Sequence, residues 1–246
     1  MPDINMANRQ CCDLDIREYS TNKPWMYADF CNTTTAGFAG NSVFAMKKGA
    51  KAIKFDDPIE GTMKITFAVH PFRIYTLLSD GAIETSAVVP VKKDIKASTQ
   101  GTLSLGDNVT PVSGSVFVYA EGDFGGTEIA GSVSGGTFTP SETSSIAANT
   151  TYTVAYLETK TTGVNKVSFN NKKIPKDYRI TQKTVDKNEN GVLVPILITA
   201  YKASPKKELE LSFSSTGDPS EITITFDCME DKDGNVIDMV EETSAE

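Results

Sequence analysis

Glu221-Ile222-Thr223-Ile224-Thr225-Phe226-Asp227-Cys228-Met229 alternates without a break. Ile222, Ile224, Phe226 and Cys228 fall on one side, and Glu221, Thr223, Thr225 and Asp227 on the other. Period-two alternation over this length predicts a β-strand with one buried face. Just upstream, Glu208 to Ser215 repeats the pattern, with Leu209, Leu211 and Phe213 against Glu208, Glu210, Ser212 and Ser214. Asp218-Pro219 supplies the turn between the two. A third run, Val192 to Lys202, follows the polar, glycine-ended loop Asp186-Lys187-Asn188-Glu189-Asn190-Gly191, which suits a tight reversal. It carries Val192, Val194, Ile196 and Ile198 on one side and Leu193, Leu197 and Tyr201 on the other, too apolar for solvent on either face. Such a strand is central in its sheet or lies at a subunit interface. Residues 174–240 therefore read as an antiparallel meander with one apolar face and one face of hydroxyls and acids.

That polar face admits two readings. One-sided sheets commonly show water whatever polar residues are convenient. Short hydroxyls and carboxylates with almost no bases also suit a smooth acidic surface, along which something negatively charged passes without sticking.

The 246 residues, 39% hydrophobic and 23% charged, have globular proportions and ample chain for a core. A net charge of −8 argues against a nucleic-acid grip, which needs a basic patch to displace counterions, and against anionic membranes. Met1 to Gln10 contains no apolar segment, so no signal peptide is expected, and no run approaches the ~18 apolar residues of a membrane span. Cys11, Cys12, Cys31 and Cys228 match no zinc spacing and read as free thiols of a reducing compartment.

Along the chain, residues 1–41 hold few periodic apolars apart from the cluster Trp25, Met26, Tyr27 and Phe30, and are expected to form an extended arm with a docking spot. A strand and turn are expected over 42–55. Gly61 to His70 is a strand, with Met63, Ile65, Phe67 and Val69 opposite Thr62, Lys64, Thr66 and His70. Pro71 then opens an α-helix whose stripe is Phe72, Ile74, Tyr75, Leu77 and Leu78, with Gly81 as its stop. Residues 97–165, rich in Gly, Ser and Thr, read as a peripheral β insertion in which Tyr152, Val154 and Tyr156 face inward. Segments 42–96 and 166–240 make up the β core, and 241–246 an acidic disordered tail.

No catalytic motif is present. His70 is a lone histidine with no nucleophile or carboxylate motif near it in sequence. Asp186-x-Asn188-x-Asn190-Gly191 imitates a calcium loop but places Leu197 where the bidentate acid belongs. Asp231-x-Asp233-Gly234 lacks its first and last acids. Both read as hairpin turns, and neither a metal nor a cofactor is expected.

Several segments occur together in a fixed order: Ile174-Pro175-Lys176-Asp177-Tyr178-Arg179-Ile180, Ala200-Tyr201-Lys202-Ala203-Ser204-Pro205, Leu209-Glu210-Leu211-Ser212-Phe213-Ser214 and Gly217-Asp218-Pro219-Ser220-Glu221-Ile222. This order resembles the C-terminal half of major tail-tube proteins from large contractile-tailed bacteriophages, and 61–81 resembles the family's sheet and flanking helix. The likeness covers about half the chain. It implies a mainly β fold of the antiparallel sandwich or barrel type with one flanking α-helix, its strands contributing to a barrel shared among subunits. It also implies hexameric rings stacked into a hollow tube, with the polar face lining the lumen and DNA passing without specific binding. Further implications are a non-enzymatic role, partners among the tail sheath, tape-measure, baseplate and tail-terminator proteins, no membrane, assembly in the host cytoplasm and residence in the virion tail.

On that reading Thr62, Lys64, Thr66, Glu208, Glu210, Ser212, Thr223, Thr225 and Asp227 face the lumen. Trp25, Tyr27, Phe30, Phe55, Asp186, Asn188 and Asn190 bridge rings or subunits. The alternative is a capsid-decoration or receptor-binding β protein, in which the insertion is the working part and the assembly is a trimer or monomer instead of a filament.

Overall fold

The alternation over 221–229 becomes the strand Ile222–Met229 in a computed structural model that describes residues 5–217 and 219–242. Ile222, Ile224, Phe226 and Cys228 point inward, and Thr223 and Asp227 outward. The chain divides into two units, residues 1–82 with 168–246 and residues 83–167.

The larger unit holds β1 (Met6–Ala7), β2 (Asp13–Glu18), β3 (Pro24–Ala28), β4 (Thr33–Ala39), β5 (Ser42–Lys47), β6 (Ala50–Asp56) and β7 (Glu60–Phe67). The smaller unit holds β8 (Ala87–Lys96), β9 (Leu103–Ser104), β10 (Phe117–Ala120), β11 (Gly131–Ser134), β12 (Thr137–Pro140) and β13 (Thr151–Lys160). The chain then returns to the larger unit as β14 (Tyr178–Asn188), β15 (Leu193–Pro205), β16 (Ile222–Met229) and β17 (Ile237–Glu241). Every recorded strand pair is antiparallel, as the sequence implies.

Nine strands of the larger unit form one sheet in the order β3-β2-β14-β15-β16-β7-β4, with β1 added along β14 and β17 along β15. It does not close into a barrel within one chain. The apolar run of β15 sits at its centre, flanked by β14 on one side and on the other by β17 over Ile196–Ala200 and β16 over Lys202–Pro205. Both partners fit because the strand is irregular in between. Ala200 and Ala203 both face the core, so Tyr201 and Lys202 share the outward turn of a bulge. The β14–β15 reversal uses the expected loop: Gly191 takes φ +81°, and the Asn188 side chain accepts from the Val192 amide at 2.8 Å.

One apolar core gathers Leu14, Ile16, Trp25, Met63, Ile65, Phe67, Tyr178, Ile180, Ile224 and Phe226, with Ile74, Leu77 and Leu78 laid over the sheet. The last three belong to the expected helix, Phe72–Leu78, which winds as a 3-10 helix. Seven residues leave little room for α pairing, and the bond from the Ile74 amide to the Pro71 carbonyl (3.0 Å) sets the tighter turn. The Thr76 hydroxyl also bonds back to the Arg73 carbonyl at 2.8 Å.

Two expectations give way. The described part of the expected arm, residues 5–41, is not an arm: β1 to β4 lie in the main sheet, and Leu14, Ile16, Trp25 and Ala28 are buried. Residues 208–215 do not form a strand. β15 itself takes the edge of β16 over Phe226–Met229 where the meander would set this strand, and after the Lys206 amide bonds the Thr225 carbonyl the chain leaves the sheet without pairing further. The acidic tail falls mostly outside the described residues; Glu241 itself ends β17.

The smaller unit has two three-stranded sheets, β10-β13-β8 and β11-β12-β9, around a separate core of Leu103, Leu105, Val118, Phe138, Ile146, Tyr152, Val154 and Tyr156. It begins at Ile83, ahead of residue 97, because β8 pairs with β13 along its whole length.

Candidate assembly and channel surfaces

The outward face of the main sheet is built by register. On β7 and β16, Thr62 stands opposite Asp227, Lys64 opposite Thr225 and Thr66 opposite Thr223. The Thr66 and Thr223 hydroxyls meet at 2.9 Å, and Lys206 pairs with Asp227 at 3.2 Å. Lys64, Thr223 and Asp227 are exposed, Thr62 and Thr66 half-buried, and Thr225 buried. Glu208, Glu210 and Ser212, expected on this face, stand outside the sheet for lack of a paired strand.

Past the β15 bulge the same face continues over β2, β14 and β17 as a hollow of about 870 Å³. Its charges pair among themselves. Arg17 donates to Asp15 at 2.8 Å, and Lys183 reaches the same carboxylate at 3.9 Å. The Arg17 hydrogen bond holds the Asp15 carboxyl below its ordinary pKa. Tyr27 donates to Asp13 at 3.0 Å and Tyr201 to Asp238 at 2.6 Å, while Arg179 stacks over the Tyr201 ring. The face is thus one of internally matched charge, richer in bases than the alternation alone suggests. Among the described residues no group of three His, Cys, Asp or Glu side chains could hold a metal.

The residues expected to bridge rings separate into two sets. Trp25 and Phe30 belong to the core: Trp25 meets Tyr178 edge-on at 5.6 Å with Arg73 above it, and Phe30 meets Phe67 at 5.9 Å. Their short strands are interrupted by polar turns, which hides the periodicity that marks them as interior. Tyr27, Phe55 and Asn190 are exposed, and Asp186 and Asn188 half-buried. The latter two lie beside the first described residues, where Asn8 donates to Asp186 at 2.8 Å and Asn5 to Glu189 at 2.6 Å.

Sequence reasoning placed a strand and turn over 42–55 and singled out Phe55, but did not anticipate how fully this hairpin exposes its apolar side chains. Among the described residues, strands β5 and β6 pair only with each other. Lys48 and Gly49 both take positive φ, +53° and +82°, the backbone of a two-residue hairpin turn. Every residue of β6 is exposed, and Val43 (61%), Met46 (59%), Ile53 (58%) and Phe55 (58%) present apolar side chains to solvent. The signal was the run Val43-Phe44-Ala45-Met46 set against Ile53 and Phe55 across Lys48-Gly49.

A model of the YomU/Tube protein family matches residues 13–241. The chain belongs to that family. The match spans both units and covers the insertion as well as the sheet, so the resemblance to phage tail-tube proteins carried by the C-terminal half extends to nearly the whole chain. A tube protein of this kind is a structural component of the phage tail, from a family that is not one of enzymes, and it assembles with itself and with other tail components. The virion tail is its setting. The capsid-decoration and receptor-binding alternative loses its ground on the same finding. No curated protein matches the chain.

Proposed function

We propose that copies of this tube protein assemble into hexameric rings that stack into a hollow conduit for DNA ejection. The observation that carries the reading is the β5–β6 hairpin. A two-stranded hairpin is marginal in water by itself, and among the described residues this one leaves four large apolar side chains exposed. A neighbouring copy is the natural cover, since the family is one of self-assembling tube proteins. Tyr27, Phe55, Asp186, Asn188 and Asn190 are the candidates for contact between rings.

The polar sheet face supports a channel role. DNA carries one negative charge per ~1.7 Å of duplex, and a basic wall would retain it through counterion release. Thr62, Thr66, Thr223 and Thr225 are uncharged, and Asp227 neutralises Lys206 across the strand pair. A wall of that kind, on which Lys64 is the unpaired base among these residues, reads no sequence and holds phosphate weakly. Sheath, tape-measure, baseplate and terminator proteins are the corresponding partners, with assembly in the host cytoplasm.

Electron microscopy of the purified protein tests the assembly. Stacked rings or tubes are expected, and single particles at every concentration would refute it. Val43→Glu with Phe55→Glu is expected to leave the fold intact and abolish rings. Thr223→Lys with Asp227→Lys tests the channel: assembled tubes of this variant are expected to retain DNA at low salt, where the parent does not. If such tubes form and DNA still ignores them, this face does not line the lumen.

A further inference from the structure

We infer that the segment Glu208–Ser214 is a donor strand, which adds to the free edge of β4 in a second copy of this chain; the inference rests on the self-assembly proposed above. The segment has the composition and alternation of a strand, yet among the described residues no backbone hydrogen bond joins it to another strand. It leaves the sheet after Lys206, whose amide still bonds to the Thr225 carbonyl at 2.8 Å. Leu209 packs against its own core, but Leu211 is 44% and Phe213 88% exposed. An extended apolar segment with open backbone donors and acceptors is half of a strand pair.

The acceptor is the other half. Thr33-Thr34-Thr35-Ala36-Gly37-Phe38-Ala39 pairs with β7 on one side only. It carries no lysine, no proline and no charge, the usual guards of a sheet edge. At its start the edge is partly occupied. Thr34 accepts from the Cys12 amide at 3.3 Å, and the Thr35 carbonyl sits 3.5 Å from the Gln182 amide nitrogen. From Ala36 to Ala39 no strand lies alongside, and Phe38 is 70% exposed.

The two halves agree in both faces, and the free stretch Ala36–Ala39 takes the middle of the donor. Along β4, Thr34, Ala36 and Phe38 share the face of Ile65, Met63 and Gly61, which is the core side. An added strand with Leu209, Leu211 and Phe213 on that side continues the core over Phe38. Glu208, Glu210, Ser212 and Ser214 then extend the polar face beside Thr33 and Thr35. Exposed Lys64, without an ion pair among the described residues, lies one strand in on that same face and meets the incoming carboxylates with opposite charge. Pairing in this manner covers Phe38, Leu211 and Phe213 together and continues one sheet from subunit to subunit.

Hydrogen–deuterium exchange on the full chain, dispersed and assembled, tests the pairing. Assembly is expected to slow exchange about tenfold or more at the amides of 209–213 and of 36–39 together. Assemblies in which either segment exchanges as fast as in the dispersed protein would overturn the donor-strand pairing while leaving self-assembly standing. A protein that never assembles would sink both. Phe213→Lys supplies the second measurement, because its side chain touches little in the monomer. The variant is expected to keep the parent's unfolding temperature while losing the added protection at 36–39. Full protection at 36–39 in assembled Phe213→Lys would also overturn the pairing.

Discussion

Gly61 faces Cys228 across the β7–β16 pair so closely that a Cβ added to Gly61 would lie 2.8 Å from the Cys228 Cβ, with Ile237 and Val236 at 3.0 and 3.1 Å. Three neighbours crowd one missing methyl, and none is the loose end of a long side chain. Gly61→Ala is therefore expected to destabilise the fold by ~1–3 kcal/mol, as overpacking of a closed site does. A lowered urea midpoint with an unchanged slope is the expected reading. An unchanged midpoint would mean that β7 and β16 part more easily than their register implies.

Trp25 sets a second expectation. Its ring is buried between Tyr178 and Arg73, so Trp25→Ala is expected to cost ~3–5 kcal/mol. Removing residues 1–30 strips β2 from β14, and β3 with it, and should leave the larger unit without cooperative unfolding, read from the amides of 178–229. Well-dispersed NMR signals from those amides in the truncation would show that the N-terminal strands are dispensable.

The four thiols should react in a graded order. Cys11 is exposed and Cys12 half-buried with a raised pKa, while burial pushes Cys31 up to about 12 and Cys228 up to about 11. Raised values leave less thiolate at neutral pH, and burial blocks access as well. At pH 8, alkylation followed by mass spectrometry is expected to label Cys11 first, Cys12 later, and Cys31 and Cys228 only on unfolding. Labelling of Cys228 at the pace of Cys11 would place that residue on the outer face.

Asp15 ties stability to acid. Because the Arg17 hydrogen bond lowers its pKa in the folded chain, the pair contributes above the ordinary carboxylate value, and the contribution is lost as pH falls through the folded value. Asp15→Asn should thus be slightly less stable than the parent at pH 7, with a smaller deficit at pH 3, below the ordinary carboxylate value. Denaturant titrations at both pH values check this. An equal deficit at both would mean that Asp15 acts by packing rather than by charge.

Alternation predicted the inward residues of β16, and those of β7 as far as Phe67, because each has one buried and one open face. Val69, expected inward, lies past the end of β7 and is 73% exposed. Alternation failed at 208–215, where the pattern is equally clean but the chain leaves the sheet after Lys206 and pairs with no strand among the described residues. Periodicity reports which way side chains would face, not whether a partner edge exists. The N-terminal error is of another kind. Asp13-Leu14-Asp15-Ile16-Arg17 alternates strictly, yet over only five residues, and its neighbours are polar turns. What identifies Leu14 and Ile16 as interior is their pairing with Gln182 and Ile180, more than 160 residues away. The candidate surfaces split the same way. Thr62, Lys64, Thr66, Thr223 and Asp227 were legible from local pattern, whereas the bare hairpin shows only once no other strand is found beside it.

At the neck of the smaller unit, Glu84 and Lys166 exchange backbone hydrogen bonds of 2.9 and 2.8 Å, and their side chains form an ion pair at 2.7 Å. The chain thus leaves and re-enters through adjacent residues. For the folding of the large sheet, the long excursion counts as a short loop once the neck has closed, since closure entropy depends on the distance the ends must still be brought together. The sheet's contacts are then insulated from the length and sequence of what is inserted. Evolution can replace this module wholesale, provided the replacement presents its own two ends side by side.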